Sequence, residues 1–245
     1  MIDLHAHLLP GVDDGPHDLA KAIALCRQAS EDGITRACAC PHAFNPRYHC
    51  RAADALAALT RLQDALRDEG IPLEVAQGME CLLVPDLAGR VERGEVLTLA
   101  GSRYLAVELP FESIPIFSRD VLFQVSLAGL VPVLVHPERN REIAGRPARL
   151  QPLVEQGVPT VVGAGSLTGA FGRRARDAAV ELLRRGLAHG VATDAHDVLA
   201  RPALLRPAMA AAADILGEER FQALMGGLAP AVWEDRPFHL PEPTI

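Results

Sequence analysis

The sequence has little aromatic material: 7 Phe, 2 Tyr and 1 Trp, only 4% of 245 residues. Its core must therefore be built from Ala, Leu and Val. Basic residues are outnumbered, 24 Lys and Arg against 31 Asp and Glu, for a formal charge of −7. That balance argues against a surface that coats nucleic acid, though not against a local basic pocket. No apolar run reaches the roughly 18 residues that a membrane span needs. The opening Met1-Ile2-Asp3-Leu4-His5 has neither the basic nor the apolar region of a secretory signal. The five Cys are odd in number and scattered, which reads as free thiols in a reducing compartment. A cytoplasmic location without membrane insertion is the expectation.

Three catalytic signatures are also missing. No glycine-rich phosphate loop follows the first strand-like run. A thiolate phosphatase needs C-x5-R, but the sixth residue after each Cys is Asp32, Phe44, Pro46, Leu56 or Leu87. There is no G-x-S-x-G nucleophile elbow. Cys40 and Cys81 read as small apolar filler.

What is present is a rhythm. Hydrophobic residues make up 49% and charged residues 22%, and no linker or low-complexity tract divides the chain. Strand-like runs at 2–7, 34–40, 73–78, 104–108, 131–135, 160–162 and 190–193 alternate with helical stretches at 18–29, 51–69, 119–128, 147–156 and 173–185. Two further helices are expected over 203–216 and 218–225. Short, continuously apolar strands are those of a parallel sheet buried on both faces. Such repetition in one undivided chain predicts a single α/β domain over residues 1–245, folded as a closed or nearly closed barrel. An open doubly wound sheet is the structural alternative.

Polar residues collect where these runs end. The runs lead into His5 and His7, His42, Glu80, Glu108, His136, and Asp194 with His196. Successive intervals are 37, 38, 28, 28 and 58 residues, the last being two repeats with one slot skipped. Each side chain thus takes the same place in successive βα units, at the end where barrel enzymes carry their sites. Residues i and i+2 of a strand share a face about 6.6 Å apart, so the His5/His7 and Asp194/His196 pairs can each aim inward. Buried carboxylates are costly unless paired or metal-bound. Imidazole and carboxylate without thiolate suit Mn, Fe or Zn. With Asp14 the set has five His and four carboxylates, too many for one ion and enough for two or three. Three divalent ions would outweigh those carboxylates by two positive charges, the complement of a phosphate dianion.

Arg139 lies three residues beyond His136, and Arg201 five beyond His196. A guanidinium at the mouth of a metal site is placed to hold phosphate through two hydrogen bonds. Glu138, in a segment read as extended, should point away from Arg139. The other histidines, His17, His49, His189 and His239, are expected at the surface.

These residues resemble the polymerase-and-histidinol-phosphatase (PHP) superfamily. Within it the chain is similar to the manganese-dependent protein-tyrosine phosphatases of bacterial capsule and exopolysaccharide operons. The motifs are D-L-H-A-H, G-V-D-D-G-P, C-P-H-A, G-M-E, S-R-Y-L-A-V-E-L-P, H-P-E-R-N, S-L-T-G-A-F-G and A-T-D-A-H, in order along nearly the whole chain. The resemblance implies a distorted (β/α)7 barrel and a three-ion Mn2+ cluster, with Fe or Zn as alternatives. His5, His7, Glu80 and Asp194 would hold one ion. Glu80, Glu108 and His136 would hold a second, and Asp14, His42 and His196 a third. Arg139 and Arg201 would bind phosphate while a metal-bridging hydroxide attacks phosphorus. The implied substrate is a phosphotyrosine protein, a bacterial tyrosine kinase. The rivals are a small-molecule phosphatase acting on histidinol phosphate, a phosphodiesterase, and a non-catalytic, metal-stabilised kinase-binding module. One departure stands out: the family's Gln-x-Asn on the sixth strand is Val161-Val162-Gly163 here.

Overall fold

A computed structural model describes residues 1–241; the last four residues of the expected 1–245 unit lie outside them. The chain opens with β1 (Ile2–Ala6), α1 (Leu19–Glu31), β2 (Arg36–Ala39), β3 (His42–Ala43) and α2 (Ala52–Asp68). β4 (Glu74–Gln77), β5 (Glu80–Leu82), α3 (Leu87–Glu92), β6 (Tyr104–Glu108), α4 (Ser118–Leu127) and β7 (Val131–Val135) follow. Next come α5 (Arg141–Gly145), α6 (Gln151–Glu155), β8 (Thr160–Gly163), α7 (Ala164–Thr168), α8 (Gly172–Arg184) and β9 (Gly190–Ala192). Three helices end the fold: α9 (Arg206–Leu216), α10 (Glu218–Gly226) and α11 (Leu228–Trp233).

All strand pairings are parallel, in the orders β1-β2-β4 and β3-β5-β6-β7-β8-β9. β3 continues the line of β2, and β5 that of β4, so the two sheets make seven strand lines. The first break falls at Pro41, which has no N–H for a ladder. The second falls at Gly78, where a Cβ would meet Cys40 Sγ at 2.8 Å. Beyond β9, Asp194 N donates to His5 O (2.9 Å) and His7 N donates to Ala195 O (2.8 Å), carrying the circuit back to β1. This is the nearly closed barrel expected from the strand rhythm, with the seven strand lines that the family resemblance implies. The helix expected over 147–156 is instead a short 3-10 turn, Pro147–Leu150, followed by α6.

Local chemistry explains the helix limits. Asp18 caps α1 by accepting from Lys21 N (2.9 Å). Asn140 caps α5 by accepting from Glu142 N and Ile143 N, and its amide reaches Pro110 O (2.6 Å). That cap ties the turn after β7 to the loop after β6. Apolar residues divide into two layers. Leu25, Leu62, Leu122, Leu153 and Leu182 face outward-pointing strand residues such as Leu105 and Leu134. A smaller cluster, with Leu4, Cys38, Tyr104, Ala106, Val133, Val161 and Ala192, fills the inside, and Leu228 and Val232 of α11 join it. The interior is a packed core, as in other βα barrels.

Candidate metal centre

All nine residues singled out as ligands meet at the carboxyl end of the strands, and eight of them are buried. Asp14 is the partly exposed one. Glu80 stands at the centre. Its Oε2 lies 2.9 Å from His42 Nδ1, 3.2 Å from His7 Nε2 and 3.4 Å from His5 Nε2. Its Oε1 lies 2.6 Å from His136 Nε2. Asp14 Oδ1 faces His42 Nε2 (3.3 Å) and His196 Nε2 (3.4 Å). Asp194 Oδ1 is 3.6 Å from His7 Nε2 and 3.9 Å from His5 Nδ1. Two of these residues hold left-handed backbone, His136 at φ 36° and Asp194 at φ 53°. Such backbone is costly for a non-glycine residue, and it clusters at functional sites.

Among the described residues, seven inward atoms of this cluster are buried without a hydrogen-bond partner: His5 Nε2, His7 Nε2, Asp14 Oδ1, His42 Nδ1, Glu80 Oε2, Asp194 Oδ1 and His196 Nε2. Orphaned donors and acceptors in one place cost several kcal/mol unless something binds them. Ligand atoms fall within 4.8 Å of one another in four sets: His7/Asp14/His42/His196, His5/His7/Glu80, His5/His136/Asp194 and His42/Glu80/Glu108. The chemistry and spacing of the donors fit divalent cations. The sets only partly follow the family partition. Asp14, His42 and His196 stay together, whereas Glu108 groups with His42 and Glu80, and Asp194 with His5 and His136.

The charges shape one another. Burial raises the Glu108 carboxyl, and the neighbouring Glu80 raises it further, to about 8. Burial alone would depress His42, yet Asp14 and Glu80 outweigh it and push the ring up to about 11. His196 goes the other way, to about 4, under burial and the neighbouring His7. The thiols take no part: burial pushes Cys26 and Cys50 up to about 12, and Cys38, Cys40 and Cys81 higher still.

Both arginines reach the centre. Arg139 Nη1 donates to Asp194 Oδ2 at 2.6 Å, and Arg201 Nη2 donates to the same oxygen at 2.5 Å. They line a cavity of about 330 Å³ with Asp14, His42, Glu80, Glu108, His136 and Asp194. Aromatic rings edge it: Tyr48 stacks on His42 at 5.2 Å, and Phe111 on His136 at 6.2 Å.

Three features escaped the sequence reading. Asp13 is the first: its Oδ2 holds His7 Nδ1 at 2.7 Å and accepts from the backbone His42 N (3.1 Å), fixing the ring of one and the main chain of the other. The doubled acid in V-D-D-G-P was the available signal. Asp3 is the second, a buried carboxylate that accepts from Thr193 N (3.0 Å) and its hydroxyl, tying β1 to the strand end that carries Asp194. Glu138 is the third, and here the expectation fails. Residues 137–139 form a 3-10 turn, not an extended segment, and Glu138 is wholly buried, accepting from Gly163 N at 2.9 Å. A Cβ on Gly163 would stand 3.1 Å from that carboxylate. The departure Val161-Val162-Gly163 is thus accommodated by a backbone hydrogen bond to Glu138. His189 is also buried, contrary to the surface reading, whereas His17, His49 and His239 are exposed.

Residues 1–231 match the family described as capsular polysaccharide synthesis, CpsB/CapC. The chain belongs to that family. It is similar to the tyrosine-protein phosphatase YwqE of Bacillus subtilis, 37% identical over 201 residues, covering 82% of this chain and 79% of the relative. It is 25% identical to the tyrosine-protein phosphatase CpsB of Streptococcus pneumoniae over 224 residues, 89% of this chain and 90% of the relative. Among solved structures, one from the work on YwqE and CpsB as unique metal-dependent tyrosine phosphatases superposes with a TM-score of 0.95 at 33% identity. That match covers 100% of this chain and 98% of the other. A lactonase from Listeria monocytogenes shares the fold alone, with a TM-score of 0.57 at 11% identity. No helix among the described residues is long and apolar enough to cross a membrane.

Proposed function

We propose that this member of the CpsB/CapC family is a metal-dependent tyrosine-protein phosphatase, a single catalytic unit that removes phosphate from phosphotyrosine in protein. The observation that carries the reading is the convergence of nine imidazole and carboxylate side chains, seven with orphaned inward atoms, beneath a cavity lined by Arg139 and Arg201. His5, His7, Asp14, His42, Glu80, Glu108, His136, Asp194 and His196 would hold three divalent ions. Mn2+ suits a donor set without thiolate, and Fe or Zn would be accepted by the same chemistry. When bound, the ions supply Lewis acidity and a hydroxide nucleophile at neutral pH.

The chain's own groups do the rest. Arg139 and Arg201 bind the equatorial phosphoryl oxygens and hold the group in line for attack. Asp13 fixes the His7 ring, and Glu138 fixes the turn from which Arg139 projects. Tyr48 and Phe111 give the mouth aromatic walls suited to a tyrosyl ring. Phenolate, whose conjugate acid has a pKa of about 10, leaves with less protonation than an alkyl alkoxide. The physiological substrate is a cytoplasmic bacterial tyrosine kinase that drives capsule or exopolysaccharide synthesis. The test is metal analysis of natively purified protein, paired with turnover of a phosphotyrosine peptide, histidinol phosphate and a phosphodiester side by side. Preference for either of the last two, or metal without turnover of any, would overturn the proposal.

A further inference from the structure

Phe171 lies in the turn between α7 and α8, 32 residues after Arg139 and 30 before Arg201. Its ring nevertheless meets both. The Arg139 guanidinium carbon is 4.4 Å from the ring centroid, and that of Arg201 is 5.9 Å away. Phe111 faces the first guanidinium as well, at 5.0 Å, so Arg139 has two aromatic neighbours and Arg201 has one. Two like charges that end on one oxygen of Asp194 repel each other. An aromatic face attracts both through its quadrupole and fixes the plane of each fork. The ring is itself seated. A Cβ on Gly165 would lie 2.7 Å from Phe171 Cε2, so only glycine at 165 lets the ring settle where it is.

We propose that Phe171, seated on Gly165, is the positioning residue that orients the Arg139 and Arg201 pair toward the phosphoryl group. The proposal rests on the phosphatase reading, and its chemistry is narrower: a shared aromatic platform for two phosphate-binding cations. Phe171 touches no reacting atom. Loss of the platform should weaken phosphate binding in ground and transition states alike, because the forks are mis-set throughout.

The experiment compares natively purified wild type with Phe171→Leu, Phe171→Tyr and Gly165→Ala. Inorganic phosphate is the probe, measured by calorimetry and as a competitive inhibitor of phosphotyrosine-peptide hydrolysis. Phe171→Leu should weaken phosphate binding and raise KM together by about tenfold, with metal content unchanged and kcat altered much less. Phe171→Tyr should stay near wild type, since it keeps the π face. Gly165→Ala should reproduce the leucine phenotype with every arginine intact, because the displaced atom is the end of a rotatable ring. A merely structural role in the α7–α8 turn would let leucine, which keeps apolar bulk, perform like tyrosine. That result, or a Gly165→Ala protein with wild-type phosphate affinity, overturns the proposal. Wild type that binds phosphate without hydrolysing phosphotyrosine would sink the functional reading alone, and the calorimetric comparison would still decide Phe171.

Discussion

The two ends of the barrel bury histidine for opposite ends. At the amino-terminal end, His189 is 3% exposed, and its Nδ1 accepts from Thr160 N at 3.0 Å. No carboxylate faces it among the groups that set its charge, and burial alone depresses the ring to about 4. At the carboxyl-terminal end, His42 is nearly as deep, yet Asp14 and Glu80 carry it to about 11. The lower imidazole is a neutral building part that bonds to backbone. The upper one belongs to a mixed shell of acid and imidazole. Depth does not separate the two; the neighbouring carboxylates do.

The sharpest way to break this contrast is at the upper end. His5→Ala or His136→Ala should cut phosphotyrosine turnover below about one per cent and lower bound metal, because each removes a neutral ligand from a shared cluster. Elemental analysis beside a peptide assay checks it, and full activity at unchanged metal content would refute the ligand assignment. Chelation should inactivate and Mn2+ restore, whereas thiol alkylation should do little, since four of the five thiols are buried and the partly buried Cys50 is pushed up to about 12. Next in size is Arg139→Ala. It should leave metal in place and cost about 2–4 kcal/mol of transition-state stabilisation, with Arg139→Lys recovering only part. Loss of metal in that variant would make the residue an organiser of its loop.

The lower end gives a stability prediction. The folded His189 pKa lies below the ordinary value of 6.5, so the folded state binds fewer protons there. Its contribution is present above 6.5 and is lost as pH falls through that value toward about 4. Between about pH 7 and about pH 5 the loss is about 2 kcal/mol. Denaturant unfolding of wild type against His189→Asn should show that difference in pH slope, and equal slopes would remove His189 from the account. The smallest effect is Glu138→Gln. The amide keeps an acceptor for Gly163 N, so the cost should be about 1 kcal/mol. Glu138→Ala, which strands that N–H, should cost about 1–3 kcal/mol. Thermal melts of the two variants would rank them.

The upper end was legible in the sequence because strand ends recur at regular intervals. That spacing found eight of the nine members of the cluster, since a βα repeat returns each strand end to one rim; Asp14, in the loop between β1 and α1, lies outside the rhythm. What it missed depends on geometry that spacing does not encode. Asp13 differs from Asp14 by one position, and only the loop's path aims one at the His7 ring and the other at His42 and His196. Glu138 was misplaced because Pro137 opens a tight turn that follows left-handed His136, and a strand's alternation ends there. His189 looked superficial because a lone polar residue beside Gly190 carries no mark of the Thr160 amide waiting across the sheet. Phe171 stands within the motif S-L-T-G-A-F-G, but spacing gives no sign of its neighbours, two cations some thirty residues away on either side.

One feature of the lower end bears on traffic. Leu228 and Val232 of α11 plug the floor beneath the small apolar cluster. Among the described residues that packed cluster lies beneath the cavity, so what enters at the rim leaves by the same door. On the proposed chemistry, the tyrosyl side chain stands in that doorway while phosphate sits beneath it. Release is then a queue, with the dephosphorylated protein first to go and phosphate last.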